Sequence, residues 1–299
     1  MVRPARGHPG IDEVNFWQPS PEGGFSAIPI GAPFLFKLHR SAARGRDVIA
    51  GGGYLAHYSV LPASVAWEAF ERKNGAESLA QMRARIAKYR RDTSGRFTDY
   101  QIGCIMLAEP FFFPPEAWID IPDWHANIVR GKTYDLTEQP GRALWDRVTS
   151  TLRALDLTQL EPAVVGEERY AAAVVQRRIG QGTFRGLVTD AYARACAVTR
   201  SKALPVLQAA HIVPYAEGGE HAVTNGLLLR SDVHRLFDLG YMTVTPEYRF
   251  EVSGRLRTDF ENGEEYLAMR GREIWVPADA GARPDPQALV WHAENRFVA

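Results

Sequence analysis

Two histidines and an asparagine in the C-terminal part of the chain carry side chains that could take part in hydrolysis. His211, Asn225 and His234 follow one another at intervals of 14 (225 − 211) and 9 (234 − 225) positions. Cleavage of a phosphodiester needs a base that activates water and a cation that stabilises charge on the phosphate and the leaving oxygen. Imidazole titrates near neutral pH, so His211 is a candidate for the base.

These side chains must be brought together by the elements that carry them, and a β-hairpin followed by a short helix would do so. Gly218 and Gly219 predict a tight turn between the two strands. Asp238 lies four residues after His234, on the same face of the predicted helix. Its carboxylate could therefore join that imidazole at a metal ion or support it from behind.

Each of these features also has a simpler explanation. A single histidine near a strand usually packs in the core or lies on the surface, and Asn-Gly alone is a turn. A His-x-x-x-Asp pair alone is a common surface pair on a helix. Their joint occurrence favours a functional site, because it falls within the segments Ala210–Pro214, Asn225–Arg230 and His234–Gly240.

These three segments resemble the HNH endonucleases, whose active site is a ββα-metal unit. The resemblance implies that His211 is the general base, that Asn225 braces the hairpin holding it, and that His234 binds a divalent metal ion. Mg²⁺ or Mn²⁺ is the expected ion, other transition metals being possible, and Asp238 is the candidate second ligand. The resemblance covers roughly residues 170–299, because one subfamily carries similar flanks at Arg178–Arg185, Cys196–Thr199, Leu289–His292 and Phe297.

Two departures from the HNH pattern bear on this site. Ala210 occupies the position at which many of these enzymes have an Asp or His metal ligand. Cys104 and Cys196 are the only cysteines, so the Cys-x-x-Cys zinc staple of many relatives cannot form and no disulfide scaffold is expected. The fold must therefore rest on its own core.

The composition of the whole chain is that of a globular protein. Of its 299 residues, 45% are hydrophobic and 23% are charged, which predicts a packed core rather than disorder. The formal net charge is zero, although a local basic face would be enough to bind phosphates. We find no apolar signal core at the N-terminus and no segment of the roughly 18 apolar residues that a membrane span needs. We expect a cytoplasmic protein with no membrane partner.

The first half of the chain, residues 14–134, has the pattern of a β-rich domain. Strands are predicted at 34–39, 54–61 and 100–107, and the runs are punctuated by Gly31, Gly51–Gly53 and Pro114–Pro115. A helix is predicted at 76–91. Its basic residues form either a solvated face or a phosphate-binding surface, and they are Arg83, Arg85, Lys88, Arg90 and Arg91.

This β-rich domain resembles the PUA-like barrels, which include the SRA and EVE domains. A barrel of this kind ahead of an HNH unit resembles modification-dependent, type IV-like restriction endonucleases, in which the barrel flips a modified base out of the duplex. Candidates for contacts with the DNA and the modified base are Asn15, Trp17, Tyr54, Trp118 and Asp120, with Phe16 and Trp124 in the same pool. Core packing is the alternative for each of them.

The predicted fold class is α+β, with three parts. They are an N-terminal PUA-like β-barrel with flanking helices at 1–135, a helical connector at 136–168, and a C-terminal ββα-metal HNH nuclease domain at 169–299. Helices are predicted at 140–156, before a boundary at Pro162 and Gly166, and at 183–195. Residues 275–291 are predicted to be loop before a short closing helix.

The resulting hypothesis is an endonuclease that cuts double-stranded DNA carrying 5-methylcytosine or 5-hydroxymethylcytosine. One methyl group in an apolar pocket contributes roughly 1–3 kcal/mol, or about 10–200-fold in selectivity. A homodimer is expected, because one HNH site per chain needs two chains or two encounters to cut both strands. The alternatives are a DNA-binding regulatory protein with a non-cleaving HNH unit, and an HNH nuclease that acts on unmodified DNA.

Overall fold

A computed structural model describes residues 11–92, 98–121, 123–125, 127–128, 131–155, 157, 172, 175 and 178–299. The fold is mixed α+β and consists of two compact units, residues 1–183 and 184–299. The predicted domain boundaries at 135/136 and 168/169 stay predictions. Pro162, Gly166 and residues 1–10 lie outside the described residues.

The N-terminal unit is built on an antiparallel sheet with the strand order β1-β4-β3-β2, and β5 pairs with β3. The strands are β1 (Glu13–Gln18), β2 (Pro33–Lys37), β3 (Val48–Pro62), β4 (Gln101–Phe112) and β5 (Ile119–Asp120). The predicted strands at 34–39, 54–61 and 100–107 fall on β2, β3 and β4. Contrary to the prediction, Gly51–Gly53 do not interrupt β3 but lie within it. The register shifts between Gly52 and Tyr54, as at a β-bulge, which bends a strand.

This sheet curls over its aromatic face. In a flat sheet the first and fourth strands are about 14 Å apart, because neighbouring strands are separated by about 4.8 Å. The ring centroids of Phe16 on β1 and Phe34 on β2 are nevertheless only 5.0 Å apart. The curled face covers a buried cluster of Leu55, Ile105 and Leu107. Within the described residues β1 and β2 are not paired with each other, so no closed barrel is seen and the PUA-like barrel stays a prediction.

Three described helices of this unit are α1 (Ala63–Phe70), α2 (Leu79–Arg90) and α3 (Gly141–Ala154). On α2, which lies within the helix predicted at 76–91, the side chains of Met82 and Ile86 are buried. Arg85 donates to the carbonyl oxygen of Gly75 at 2.6 Å, and Arg90 donates to that of Pro19 at 2.6 Å. These two members of the basic cluster therefore support the fold of their own unit.

The C-terminal unit contains two β-hairpins and five helices among the residues described. In chain order these are α4 (Gln181–Ala191), β6 (Leu207–His211), β7 (Gly226–Arg230), α5 (Ser231–Asp238), β8 (Met242–Val244), β9 (Phe250–Val252), α6 (Arg255–Phe260), α7 (Glu264–Leu267) and α8 (Pro286–Asn295). The unit boundary at 183/184 falls within α4.

The predicted loop at 275–291 is wrong over its last six residues, because α8 begins at Pro286. Proline is tolerated in the first turn of a helix, where its missing N–H would have no intrahelical partner. The side chain of Asp285 caps this end by accepting a hydrogen bond from the backbone of Gln287 at 3.0 Å.

Among the described residues, no helix is both long enough and apolar enough to cross a membrane.

Candidate active site

The hairpin of β6 and β7 leads directly into α5. The two strands are antiparallel, with Leu207 opposite Arg230 and His211 opposite Gly226, and α5 begins at Ser231. Leu227, Leu228 and Leu229 on β7 are buried, which fixes the hairpin in the core of the unit. This arrangement places His211 at the end of the first strand and His234 on the helix that follows the second.

Asn225 closes the connection between the two strands. Its side-chain oxygen accepts from the backbone N–H of Val213 at 2.9 Å, and its amide nitrogen donates to the carbonyl oxygens of Val213 (2.9 Å) and Glu220 (3.0 Å). The N–H of Ile212 donates to the carbonyl oxygen of Asn225 at 2.9 Å. A single buried side chain therefore connects Val213, near the start of the loop, to Glu220 and to the end of the loop at Asn225.

The predicted tight turn at Gly218 and Gly219 is wrong. The strands are joined by residues 212–225, and Gly218, with a φ of 89°, ends a short 3-10 turn at Tyr215–Glu217. A Cβ on Gly219 would lie 1.9 Å from the carbonyl oxygen of Val213. This glycine is therefore required for the close approach of two loop segments.

The ring of His211 is held on two sides. It stacks on Phe184 with ring centroids 4.0 Å apart and planes inclined by 16°, and its Nε2 lies 2.9 Å from Nδ1 of His221. His221 in turn stacks on Tyr215, with centroids 4.6 Å apart and planes inclined by 7°. The base candidate is therefore held by an aromatic ring on one side and by a second imidazole at one edge.

The pKa of His211 is lowered to about 4, mainly by burial and then by the nearby charges of His221 and His234, whereas Asp238 acts in the opposite direction. His211 is therefore neutral at neutral pH and can accept a proton. His221, His234 and Asp238 therefore lie near enough to His211 to influence its charge.

The second histidine is oriented by Gln208, which lies on β6. Nδ1 of His234 lies 2.8 Å from Oε1 of Gln208, and a carbonyl oxygen can only accept, so Nδ1 carries the proton. The lone pair is then on Nε2, and Oδ2 of Asp238 lies 3.4 Å from this atom. A proton or a cation between the two acceptor atoms would relieve the repulsion of their lone pairs.

The start of α5 is stabilised by a separate ion pair. Arg230 donates to both carboxylate oxygens of Asp232 at 2.6 Å, and Tyr266 donates to the same carboxylate at 3.0 Å. The hydrogen bond from Arg230 is the main reason that the pKa of Asp232 is lowered to about 2. An ionised carboxylate in the first turn also interacts favourably with the helix dipole. The helix that carries His234 is therefore stabilised at its N-terminus.

His234 and Asp238 form a mixed nitrogen and oxygen donor pair. Imidazole suits first-row transition ions and carboxylate suits Mg²⁺ or Mn²⁺. In the part of the chain that the structure describes, no group of three or more His, Cys, Asp or Glu is placed to hold a metal. The donor pair fits a divalent ion that completes its coordination with water and phosphate oxygens, as Mg²⁺ commonly does.

Cys196 does not belong to a Cys-x-x-Cys zinc staple and has a structural role instead. Its buried sulfur accepts from the backbone N–H groups of Thr199 and Arg230, both at 3.3 Å. His292, in the closing flank, is also buried and stacks on Phe237 of α5 with centroids 3.7 Å apart. These flanking residues support the hairpin and the helix from behind.

The candidate base-binding residues of the N-terminal unit do not converge in the same way. Asn15 donates to the side chain of Asn74 at 2.9 Å, and Trp17 donates to the carbonyl oxygen of Asn74 at 2.9 Å. Tyr54 is buried, and burial is the main reason that its pKa is raised to about 12. These three side chains mainly pack within their own unit.

Two other candidates, Trp118 and Asp120, lie near the N-terminal end of β3. Trp118 donates to the carbonyl oxygen of Phe113 at 3.1 Å, and the carboxylate of Asp120 accepts two hydrogen bonds from Arg46, at 3.0 and 2.7 Å. Asp120 pairs with Val48, six residues along β3 from Tyr54, which corresponds to about 20 Å in an extended strand. The five candidates therefore do not share one pocket.

His221, Gln208 and Phe184 are the site residues that the sequence analysis missed. His221 lies ten positions after His211 (221 − 211) inside a connection that was interpreted as a turn. Gln208 lies three positions before His211 on the same strand, so a search for polar residues near the histidine would have found it. Phe184 is distant in sequence, and we see no local signal that relates it to His211.

An antiparallel hairpin followed at once by a helix, with one histidine on each part, is the ββα arrangement that the sequence predicted for this site. In agreement with this, residues 196–245 match the model of the HNH endonuclease family. The matched segment contains His211, Asn225, His234 and Asp238, so the C-terminal unit contains an HNH endonuclease domain, which indicates endonuclease activity on DNA. No curated protein matches the chain.

Proposed function

We propose that the protein is a divalent-metal-dependent endonuclease that hydrolyses phosphodiester bonds of double-stranded DNA. The observation that carries this proposal is the neutral imidazole of His211 in one site with the His234 and Asp238 donor pair. An uncharged base and a cation site are the two requirements of metal-assisted phosphodiester hydrolysis.

In this proposal each residue of the site has one role. His211 takes a proton from the attacking water, and Asn225 holds the loop that follows the base. His234 and Asp238 would hold Mg²⁺, Mn²⁺ or another transition ion, and such an ion would stabilise negative charge on the phosphate and the leaving oxygen. Because the N–H of His234 is engaged by Gln208, its Nε2 is the atom that would bind.

The finer part of the proposal is that the N-terminal unit directs cleavage to DNA containing 5-methylcytosine or 5-hydroxymethylcytosine. It is supported by aromatic rings that remain accessible on the curled sheet. Phe16 is 46% exposed and Phe112 is 40% exposed, and Phe36 stacks on both with centroids 5.8 Å away. Base-aromatic stacking contributes about 1–3 kcal/mol per base, which is comparable to the few kcal/mol that flipping a base costs.

Incubation of the full chain with plain, 5-methylcytosine-containing and 5-hydroxymethylcytosine-containing plasmids, in Mg²⁺ or Mn²⁺, tests both parts. We expect cleavage of at least one modified plasmid by the wild type, and cleavage of none by His211→Ala, which should still bind DNA. Inertness of the folded wild type on all three plasmids would contradict the nuclease. Equal cleavage of all three would contradict the preference for modified DNA.

A non-cleaving, DNA-binding HNH unit is the second candidate, and Ala210 favours it because a ligand position is vacant. This candidate predicts tight DNA binding without products in any divalent ion. If the wild type forms a homodimer, as we also propose, sedimentation should give twice the mass of the chain.

A further inference from the structure

We propose that His221 is a positioning residue that determines which nitrogen of His211 acts as the base. This inference rests on the proposed nuclease function and concerns the same site. It assigns a role in the reaction to a histidine of the loop between β6 and β7.

The contact between the two rings limits the protonation states that are productive. Nε2 of His211 and Nδ1 of His221 are 2.9 Å apart, so one proton lies between them, with one ring donating and the other accepting. Nδ1 of His211 makes no hydrogen bond within the described residues, and it is the nitrogen left to accept a proton from water. That nitrogen is unprotonated only if Nε2 carries the hydrogen and donates to His221.

The opposite arrangement is unproductive. If His221 donated to Nε2 of His211, the neutral His211 ring would carry its hydrogen on Nδ1 and could not accept another there. His221 therefore selects the active tautomer when it accepts. After the base has taken a proton, both ring nitrogens of His211 carry hydrogens and the bond to His221 remains intact.

The surroundings of His221 hold it in this position. Its ring stacks on Tyr215, and the carbonyl oxygen of its neighbour Glu220 accepts from the amide of Asn225 at 3.0 Å. The same amide donates to Val213, two residues after His211. Asn225 thus fixes the backbone close to both histidines, which keeps their rings within hydrogen-bonding distance of each other.

The groups that surround His211 agree with this role. His221 faces it from the loop, Phe184 faces it from α4, and α5 contributes the charges of His234 and Asp238. Among these, His221 makes the hydrogen bond to the ring of His211. Replacing it should therefore change the tautomer without removing a metal ligand.

Two substitutions distinguish the effect of the hydrogen-bond acceptor of His221 from the effect of its aromatic ring. His221→Phe keeps a ring for the stack on Tyr215 and removes the acceptor, whereas His221→Asn places an oxygen near the position of Nδ1. Loss of the partner that orients a metal-binding histidine typically costs about 10–100-fold in activity, and we expect a factor of this order for the partner of the base. We expect His221→Phe to lower kcat by that factor with an unchanged KM, and His221→Asn to remain within about fivefold of the wild type. Tyr215→Phe, which keeps the stacked ring, is the matched control and should cut like the wild type.

A readout that does not depend on cleavage is the ¹⁵N NMR spectrum of the imidazoles in the metal-free protein. We expect His211 of the wild type to be protonated on Nε2, and His221→Phe to show a mixture of tautomers. The inference is overturned if His211 is protonated on Nδ1 in the wild type. It is equally overturned if the wild type cuts DNA and His221→Phe cuts as fast. Absence of cleavage by the wild type would instead count against the proposed nuclease, and the NMR result would still decide the tautomer.

Discussion

Glu13 in the N-terminal unit and His211 in the C-terminal unit both place an ionisable side chain among close polar partners, but their bonding differs. The carboxylate of Glu13 is fully buried and accepts from the N–H groups of Gly182 and Thr183 at 2.8 Å and from the hydroxyl of Thr183 at 2.7 Å. Lys73 lies 3.4 Å from the same carboxylate. His211, in contrast, has one ring nitrogen bonded and the other available. A candidate catalytic residue is held in place and still has an atom that can accept a proton, whereas the acceptor atoms of a structural residue are already engaged.

Net charge gives a second contrast between the two units. Residues 184–299 contain 13 Lys and Arg and 15 Asp and Glu, a net charge of 13 − 15 = −2. Residues 1–183 contain the other 22 basic and 20 acidic residues, a net charge of 22 − 20 = +2. The nuclease unit therefore cannot rely on its overall charge to attract DNA. Phosphate contacts must come from local groups, from a bound cation or from the other unit.

The largest expected effect is that of His234→Ala on cleavage. Removal of the imidazole leaves Asp238 as a single donor, and we expect a loss of about 10³-fold, or about 4 kcal/mol of transition-state stabilisation. The measurement is single-turnover cleavage over a titration of Mn²⁺. His39→Ala, at an exposed histidine of the N-terminal unit, is the control and should have no effect. Full cleavage by His234→Ala at the wild-type Mn²⁺ concentration would remove this residue from the site.

The next effect concerns stability of the C-terminal unit. Asn225→Ala removes three hydrogen bonds and leaves the N–H of Val213 without its partner, so we expect a loss of about 3 kcal/mol. Hydrogen exchange of peptides from residues 184–299 would measure it. Asn295→Ala, which removes one exposed hydrogen bond, should cost less than about 0.5 kcal/mol. Equal losses for the two variants would show that Asn225 is not the brace of the loop.

A smaller effect is expected for the buried carboxylate of the N-terminal unit. Glu13→Gln keeps the shape but replaces one of the two acceptor oxygens by an NH2 group and removes the charge that strengthens the hydrogen bonds, and we expect a loss of about 2 kcal/mol. Hydrogen exchange of peptides from residues 11–92 would detect it, with the exposed Glu22→Gln as control. If Glu13→Gln lowered the cleavage rate without lowering the stability, Glu13 would not be a purely structural group.

The last expected effect is a pH dependence of stability. Burial lowers the pKa of both His211 and His292 to about 4, below the ordinary value of 6.5. Between these values the unfolded chain binds more protons than the folded one, so stability is full above about pH 6.5 and is lost as the pH falls towards 4. Denaturant midpoints of the C-terminal unit should fall between about pH 7.5 and about pH 5. The double variant His211→Phe/His292→Phe should show a flatter dependence, and an unchanged slope would assign the effect to other groups.

The candidate site was predictable from sequence where its parts are local. The spacing of His234 and Asp238 places both on one helix face. Asn225 directly precedes the second strand of the hairpin, so its position depends on short-range register. The contexts around these residues were specific enough to predict a ββα unit, and the match of residues 196–245 to the HNH endonuclease family agrees with that prediction.

The aromatic and amide candidates of the N-terminal unit were much harder to assign. Composition and alternation predicted strands, but Trp17 bonds to Asn74, 57 residues away, and Asp120 bonds to Arg46, 74 residues away. No local pattern distinguishes such a structural contact from a binding contact.

The sequence by itself determined the chemistry that is available: the histidines, the asparagine and the carboxylate, and the hairpin and helix that carry them. Only the tertiary structure decided that His221 meets His211, that Gln208 orients His234, and that the sheet of the N-terminal unit curls over its aromatic side chains. The physical reason is that periodicity and spacing encode contacts within one element or across one hairpin. Contacts across a 14-residue loop or a curled sheet depend on how the buried side chains pack together.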